Sequence, residues 1–150
     1  MTSVPLRAGI IAAGDGTRLK AAHPEITKPL VPVAGRPLVD WIVDSLETAG
    51  VRSIVVLLNS RGRAVRAHLK ASFPSIQWTF LEKETKSSWE SFRLVSRALS
   101  GGSSRFLIST VDALARPEEV ARFATAAAIA MQNGHDGALA LTRFVDVAAS

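Results

Sequence analysis

The sequence predicts an α/β domain in three layers, with a mainly parallel sheet between two layers of helices. Short apolar runs closed by turn residues alternate with segments of helical periodicity along the chain. Because parallel strands need long crossover connections, this alternation is typical of a parallel sheet covered by helices on both faces. With 150 residues and 47% hydrophobic content, we expect residues 1–150 to form a single domain with a sizeable core.

Five apolar runs predict the strands of this sheet. The first is continuous and ends at glycine, as expected of a strand buried on both faces. The predicted strands are residues 6–12, 53–58, 76–81, 105–109 and 138–144.

Capping and stop signals predict four helices between these strands. A proline or a short polar residue begins each helix, and three of the four end at glycine. The predicted helices start at Pro37, at Asn59 or Ser60, at Ser87 and at Pro117, and they end at Gly50, about Ala71, Gly101 and Gly134.

The helical periodicity also predicts which side chains face solvent. We expect Asp40 and Asp44, four residues apart, on a solvated face, and Trp89 with Phe92 in the core. The histidines, His23, His68 and His135, lack metal-ligand spacing and are expected at the surface.

Composition limits the classes of function. The formal charge of +5 and the pI of about 10.4 favour anionic partners. The densest basic run, at residues 61–70, has no interleaved aromatic residues, so it indicates a solvated helix face and nucleic acid is an unlikely partner. The absence of cysteine excludes a thiolate zinc site and a cysteine nucleophile. No apolar run is long enough for a membrane span, so we expect a cytoplasmic protein.

The loop after the first strand carries the first candidate site. Gly14 and Gly16 allow a sharp turn whose backbone N–H groups can form an anion nest suited to a triphosphate. Arg18 adds a planar cation that matches phosphate oxygens. A Gly-x-Gly pair alone is a weak signal, and the loop fits neither the Rossmann fingerprint nor the Walker A loop.

Lys28 lies in the second half of this loop. Pro29 and Pro32 stiffen the backbone there and would hold the lysine at a fixed place. Taken alone, Lys28 is best interpreted as a solvated lysine. Joined to the glycine loop, it becomes a candidate phosphate ligand.

These residues carry a family resemblance in three blocks. The chain has Gly-Asp-Gly-Thr-Arg-Leu at 14–19, Thr-Lys-Pro-Leu-Val-Pro-Val at 27–33 and Gly-Arg-Pro-Leu at 35–38. They resemble the signature of the nucleotidyltransferases that make nucleoside-diphosphate sugars and related activated alcohols. That family shows Gly-x-Gly-Thr-Arg-Leu, Pro-Lys-x-Leu-x-Pro-Val and Gly-x-Pro-Leu. Lys28 follows Arg18 by ten residues, as in the sugar-phosphate branch, and Thr27 stands where many members have proline.

The resemblance implies a Rossmann-like fold of the nucleotide-diphospho-sugar transferase type and roles for individual residues. Arg18 and Lys28 would be the catalytic cations, and Asp112, just after the fourth strand, would bind magnesium. A purely structural role for Asp112, in an Asx turn or a helix cap, is the alternative. The implied nucleotide-binding residues are Ala12, Ala13, Gly14, Asp15, Gly16, Thr17, Arg18, Lys86, Ser87 and Ser88.

Two interpretations of residues 86–88 remain open. Lys86, Ser87 and Ser88 occupy the family's base-recognition segment and could meet a base or phosphate at a helix N-terminus. A simple capping box between Ser87 and Glu90 explains the same residues equally well.

The reaction implied by the resemblance is transfer of a nucleoside monophosphate from an NTP to a phosphorylated acceptor, with pyrophosphate released. A sugar 1-phosphate is the favoured acceptor, and phosphocholine-type and molybdopterin-type acceptors are alternatives. The competing hypothesis is a nucleotide-binding or regulatory domain without transferase activity. The family's second metal aspartate lies beyond residue 150, so we expect the N-terminal part of a longer catalytic domain, whose exposed apolar surface could favour a homo-oligomer.

Overall fold

The computed structural model describes residues 6–14, 16, 21, 24–101 and 105–141. The strands are β1 Arg7–Ile11, β2 Pro32–Val33, β3 Arg36–Pro37, β4 Ser53–Leu58, β5 Gln77–Glu82 and β6 Phe106–Thr110. The helices are α1 Leu38–Thr48, α2 Arg63–Ser72, α3 Ser88–Ser100 and α4 Pro117–Gln132, and a 3-10 turn spans Lys28–Leu30.

Four of the strands form one parallel sheet in the order β5-β4-β1-β6. The chain builds the sheet from β1 in one direction through β4 and β5, and then crosses to place β6 on the other side of β1. Strand order therefore reverses beside β1, and ligands of open α/β sheets bind at the carboxyl ends of the strands at such a point. The remaining two strands, β2 and β3, pair as a small antiparallel hairpin.

The sheet is covered on both faces, which confirms the predicted three layers. Along β4, Ile54, Val56 and Leu58 belong to the core under α1 and α2, while Val55 and Leu57 belong to the core under α3. Alternate residues of a strand point to opposite faces, so this division requires a helical layer on each side.

The packing of α3 explains the glycine in the middle of β1. A methyl group on Gly9 would collide with the side chain of Val95 and would press on Leu99. The helix therefore approaches the strand more closely than any larger residue permits.

The predicted fifth strand, residues 138–144, is not observed where the structure describes it. Residues 138–141 have no strand conformation, and residues 142–144 lie outside the described part of the chain. Residues 138–141 do not pair with the available edge of β6, and their apolar side chains Leu139 and Leu141 are strongly exposed. Among the described residues, β6 is thus an edge strand, and an apolar groove of about 440 Å³ lies between it and α4.

Two predictions about helix faces are wrong. Asp40 is buried and its carboxylate accepts a hydrogen bond from His68 Nε2 at 2.6 Å, because α2 packs beside α1 and supplies a partner. Trp89 is 68% exposed and stacks on the partly exposed Phe92, since both lie outside the stripe of α3 that faces the sheet.

The start of α2 also differs from the prediction. The residue that caps this helix is Gly62, and neither Asn59 nor Ser60 caps it. None of the helices within the described residues is long and apolar enough to cross a membrane.

Candidate functional site

The candidate site lies at the carboxyl ends of β1 and β6. Ile11 pairs with Thr110, and the N–H of Val111 donates to the Ile11 carbonyl at 3.1 Å. On the other side, the N–H of Ala12 donates to the Leu57 carbonyl at 2.9 Å. The segment after β1 is therefore held between its two neighbouring strands, with Ala12 and Ala13 buried at the base of the site.

The glycine loop continues from this base. Gly14 is exposed, and Gly16 has φ of +55°, in the left-handed region that favours glycine. Both line a small cavity together with Lys28. Asp15, Thr17 and Arg18, three of the predicted site residues, lie outside the described residues, as does His23.

Lys28 and Asp112 are brought together by the fold. Lys28 is the first residue of the 3-10 turn, where Pro29 is buried and fixes the backbone. Its Nζ lies 2.5 Å from Asp112 Oδ2, although the two residues are 84 positions apart in the sequence. The family resemblance assigned both residues to one site, and their side chains are in direct contact.

The Lys28 ammonium holds the pKa of Asp112 below its ordinary value, and a hydrogen bond from the Thr110 side chain acts in the same direction. Partial burial opposes this shift without reversing it. The side chain is therefore a carboxylate at neutral pH, which is the hard oxygen ligand that Mg²⁺ prefers. It faces a cavity of about 140 Å³, whose lining includes Ala12, Gly14, Lys28 and Ser88.

Among the described residues, Asp112 does not belong to a preformed cluster of metal ligands. No group of three or more histidine, cysteine, aspartate or glutamate side chains is positioned to hold a metal within the described residues. One carboxylate is still compatible with Mg²⁺, since this ion is commonly bound by one or two carboxylates together with substrate phosphates and water.

The segment before α3 forms a helix cap. Ser87 Oγ accepts a hydrogen bond from the Glu90 N–H at 3.2 Å, and Glu90 Oε2 accepts one from the Lys86 N–H at 2.8 Å. This hydrogen bond and the ion pair with Lys83 lower the pKa of Glu90. The capping interpretation of Ser87 is thus confirmed. Of the three predicted binding residues, Ser88 lines the cavity that Asp112 faces.

Asn59 is a site residue that sequence analysis missed. Its buried amide donates from Nδ2 to the Ala13 carbonyl at 3.4 Å and accepts the Arg61 N–H at Oδ1 at 3.1 Å. The side chain ties the start of the glycine loop to the end of β4, and Arg61 lines the cavity of the loop. The sequence offered only a polar residue after an apolar run, which is an equally good helix-cap signal.

A parallel sheet with a glycine loop, a lysine and an aspartate at its strand-order reversal is the arrangement of an α/β domain that binds a ligand at the carboxyl ends of its strands. A profile of the MobA-like NTP transferase domain matches residues 8–144, and the chain belongs to this family.

Relatives of known function share part of this sequence. The bifunctional protein GlmU of Geobacter metallireducens is 32% identical over 114 residues, which are 75% of this chain and 23% of that protein. N-acetylmuramate alpha-1-phosphate uridylyltransferase of Caulobacter vibrioides is 39% identical over 71 residues, 47% of this chain and 29% of that protein. The chain thus matches less than a third of the length of either relative.

Solved structures share the fold. The inositol-1-phosphate CTP transferase from T. maritima superimposes with a TM-score of 0.67 at 22% identity, over 78% of this chain and 47% of that one. A UDP-glucose pyrophosphorylase complexed with UDP-glucose gives a TM-score of 0.67 at 16% identity, over 85% and 55% of the two chains. The chain corresponds to about half of each structure, and the predicted Rossmann-like α/β fold is confirmed.

Proposed function

We propose that this domain transfers a nucleoside monophosphate from an NTP to a phosphorylated acceptor, a sugar 1-phosphate, and releases pyrophosphate. The observation that carries the proposal is the contact between Lys28 and Asp112 beside the glycine loop, at the point where strand order reverses. A cation and an anion side by side suit a ligand that is itself a polyanion with a bound cation.

The proposed chemistry needs no protein nucleophile. An oxygen of the acceptor phosphate attacks the α-phosphorus of the NTP, and the bond from that phosphorus to the leaving pyrophosphate breaks. The protein contributes position and charge neutralisation, which are the main sources of catalysis in phosphoryl transfer.

Each residue has a proposed part in that arrangement. The loop formed by Gly14, Asp15, Gly16 and Thr17 wraps the phosphates, with Arg18 on the leaving pyrophosphate. Lys28 holds the oxygens of the attacked α-phosphate. Ala12 and Ala13 leave room for the nucleobase beside β1. Lys86, Ser87 and Ser88 are the proposed contacts to the base or to phosphate, and Ser88 lines the same cavity as Ala12.

Asp112 is the proposed ligand of Mg²⁺. When bound, the ion neutralises charge on the phosphate oxygens. The carboxylate is suited to this part because its pKa is lowered and it is exposed at the cavity that Lys28 also borders.

The proposed acceptor rests on the relatives. The Caulobacter protein is named for an α-1-phosphate of an amino sugar acid, and a Klebsiella pneumoniae relative is named UTP–glucose-1-phosphate uridylyltransferase. Family membership supports nucleotidyl transfer in general, and the sugar 1-phosphate is the finer part of the proposal.

A pyrophosphate-release assay tests the proposal. The protein is incubated with each NTP, Mg²⁺ and a panel of sugar 1-phosphates, phosphocholine and uncharged sugars. We expect release that depends on one NTP, on Mg²⁺ and on a sugar 1-phosphate. Nucleotide binding without release for any acceptor would instead favour the regulatory alternative.

A matched pair of variants connects this assay to the site. Asp112→Asn should abolish release, whereas Asp44→Asn should not. Asp44 is a fair control because it is also a partly exposed aspartate in an ion pair, with Arg36 at 2.8 Å, but lies on α1. Equal activity in both variants would refute the assignment of Asp112.

A further inference from the structure

The contact between Lys28 and Asp112 has a cost for ligand binding. Asp112 Oδ2 accepts a hydrogen bond from the Lys28 ammonium at 2.5 Å, and the Thr110 side chain also donates to this carboxylate. The groups that the proposed function assigns to the phosphates and to the metal ion are therefore paired with each other.

This pairing opposes the binding of a divalent cation by itself. A cation that approaches Asp112 meets a carboxylate whose charge is already balanced, and it meets the positive Lys28 at contact distance. Among the residues that the structure describes, Lys28 is the charged side chain in contact with Asp112. Its contribution to the unfavourable interaction can therefore be tested by substitution.

Binding of a triphosphate reduces the repulsion between Lys28 and a cation at Asp112. Its oxygens offer Lys28 a second anion, and a lysine that moves to the phosphates leaves the Asp112 carboxylate free for the metal ion. Lysine can make this exchange because its ammonium is a compact charge on a flexible stem. Both side chains are also partly exposed, so the Lys28 ammonium can move from Asp112 to a bound phosphate without passing through the protein core.

We infer that the Lys28–Asp112 ion pair is a latch that weakens the binding of free divalent ions at Asp112 and makes nucleotide binding and metal binding mutually favourable. The inference rests on the proposed function. The nucleotide binds first or together with its ion, and binding of a free ion before the nucleotide is disfavoured. By thermodynamic linkage, the ion strengthens nucleotide binding by the same factor.

The expected size of the effect follows from the exposure of the pair. Partly exposed ion pairs contribute at most about 1 kcal/mol, which corresponds to a change of roughly two- to fivefold in a dissociation constant. The latch thus biases the order of binding and does not block the site.

The test measures the affinity for Mn²⁺ alone, by electron paramagnetic resonance of the free ion, on the full chain without nucleotide. Lys28→Gln should bind Mn²⁺ about two- to fivefold more tightly than wild type, although a ligand-binding residue has been removed. Lys28→Arg keeps the cation and should remain close to wild type. A thermal unfolding curve of each variant verifies that it is folded.

A second lysine controls for the loss of positive charge. Lys83 follows the carboxyl end of β5, at the opposite side of the sheet from β6, and pairs with Glu90 at 3.1 Å. Lys83→Gln should leave Mn²⁺ affinity within about 1.5-fold of wild type, because the interaction of exposed charges falls off over about one Debye length. An equal gain in Lys83→Gln and Lys28→Gln would overturn the latch in favour of a general charge effect.

Asp112→Asn separates failure of the latch from failure of the proposed function. If this variant loses Mn²⁺ affinity while Lys28→Gln binds no more tightly than wild type, the metal site stands and the latch is refuted. If Asp112→Asn binds Mn²⁺ as wild type does, the proposed metal ligand and the latch are both refuted.

Discussion

Two pairs of side chains in this protein have similar geometry and different surroundings. Lys28 and Asp112 lie 2.5 Å apart at the cavity after β1 and β6, with side chains 36% and 52% exposed. His68 and Asp40 lie 2.6 Å apart between α2 and α1, with side chains 26% and 10% exposed. Contact distance alone does not distinguish them.

The difference in exposure indicates that the two pairs have different roles, one in packing and one in ligand binding. The carboxylate of Asp40 is enclosed by two helices and is satisfied by His68, so it belongs to the packing of the domain. The carboxylate of Asp112 is satisfied in the same way but faces a cavity, where a ligand can replace its partner. In an accessible pair, a ligand can replace one of the two partners, so the pair is suited to ligand binding. An enclosed pair is suited to stabilising the fold.

The largest expected effect is on catalysis at the exposed pair. Lys28→Ala should lower kcat/KM for nucleotidyl transfer by about 10²–10³-fold, the loss typical of one preorganised donor to a reacting oxygen. The free energy of unfolding should change by less than about 1 kcal/mol, because the lost ion pair is partly exposed. Steady-state kinetics and urea titration measure the two quantities.

Lys70 provides the control for this variant. It is an exposed lysine in the last turn of α2, and it lines none of the cavities described above. Lys70→Ala should keep wild-type kcat/KM. A large loss of unfolding free energy in Lys28→Ala would contradict the proposed difference between the two pairs, because the exposed pair would then also stabilise the fold.

The enclosed pair should show the opposite pattern. Asp40→Ala should destabilise the domain by about 2 kcal/mol, because His68 loses its partner and the first turn of α1 loses a favourable negative charge. Asp44→Ala removes an aspartate from the next turn of the same helix, where the partner Arg36 is exposed, and should cost less than about 1 kcal/mol. Thermal or urea unfolding of the two variants provides the comparison, and equal losses would contradict it.

The sequence was sufficient to predict the layers and the four observed parallel strands. Continuous apolar runs such as residues 53–58 can only be buried on both faces, so their presence already requires a helical layer on each side. The capping role of Ser87 was also predictable, because a cap depends on residues that are three positions apart.

Contacts between distant elements were not predictable in this way. Asp40 has the sequence environment of a solvated helix residue, and only the position of α2 buries it against His68. Trp89 has helical spacing to Phe92 but lies outside the buried stripe. For the site, the resemblance assigned Lys28 and Asp112 to one centre, but no spacing in the sequence indicates that they touch across 84 residues.

The smallest expected effect is the dependence of stability on pH at the exposed pair. The pKa of Asp112 is lowered in the folded protein, mainly by Lys28, so the pair contributes stability at neutral pH that is lost as pH falls through the folded pKa. The difference in unfolding free energy between wild type and Lys28→Gln should be about 0.2–1 kcal/mol at pH 7, after discounting for solvent screening. It should begin to shrink as pH falls past about 4, near the ordinary aspartate pKa, and it should vanish only below the lower pKa of Asp112 in the folded protein, where both proteins carry a protonated Asp112. Urea titrations at several pH values measure this difference, and 0.5 M NaCl should reduce it at pH 7. A difference that grows as pH falls would show that Lys28 stabilises the fold through some contact other than Asp112.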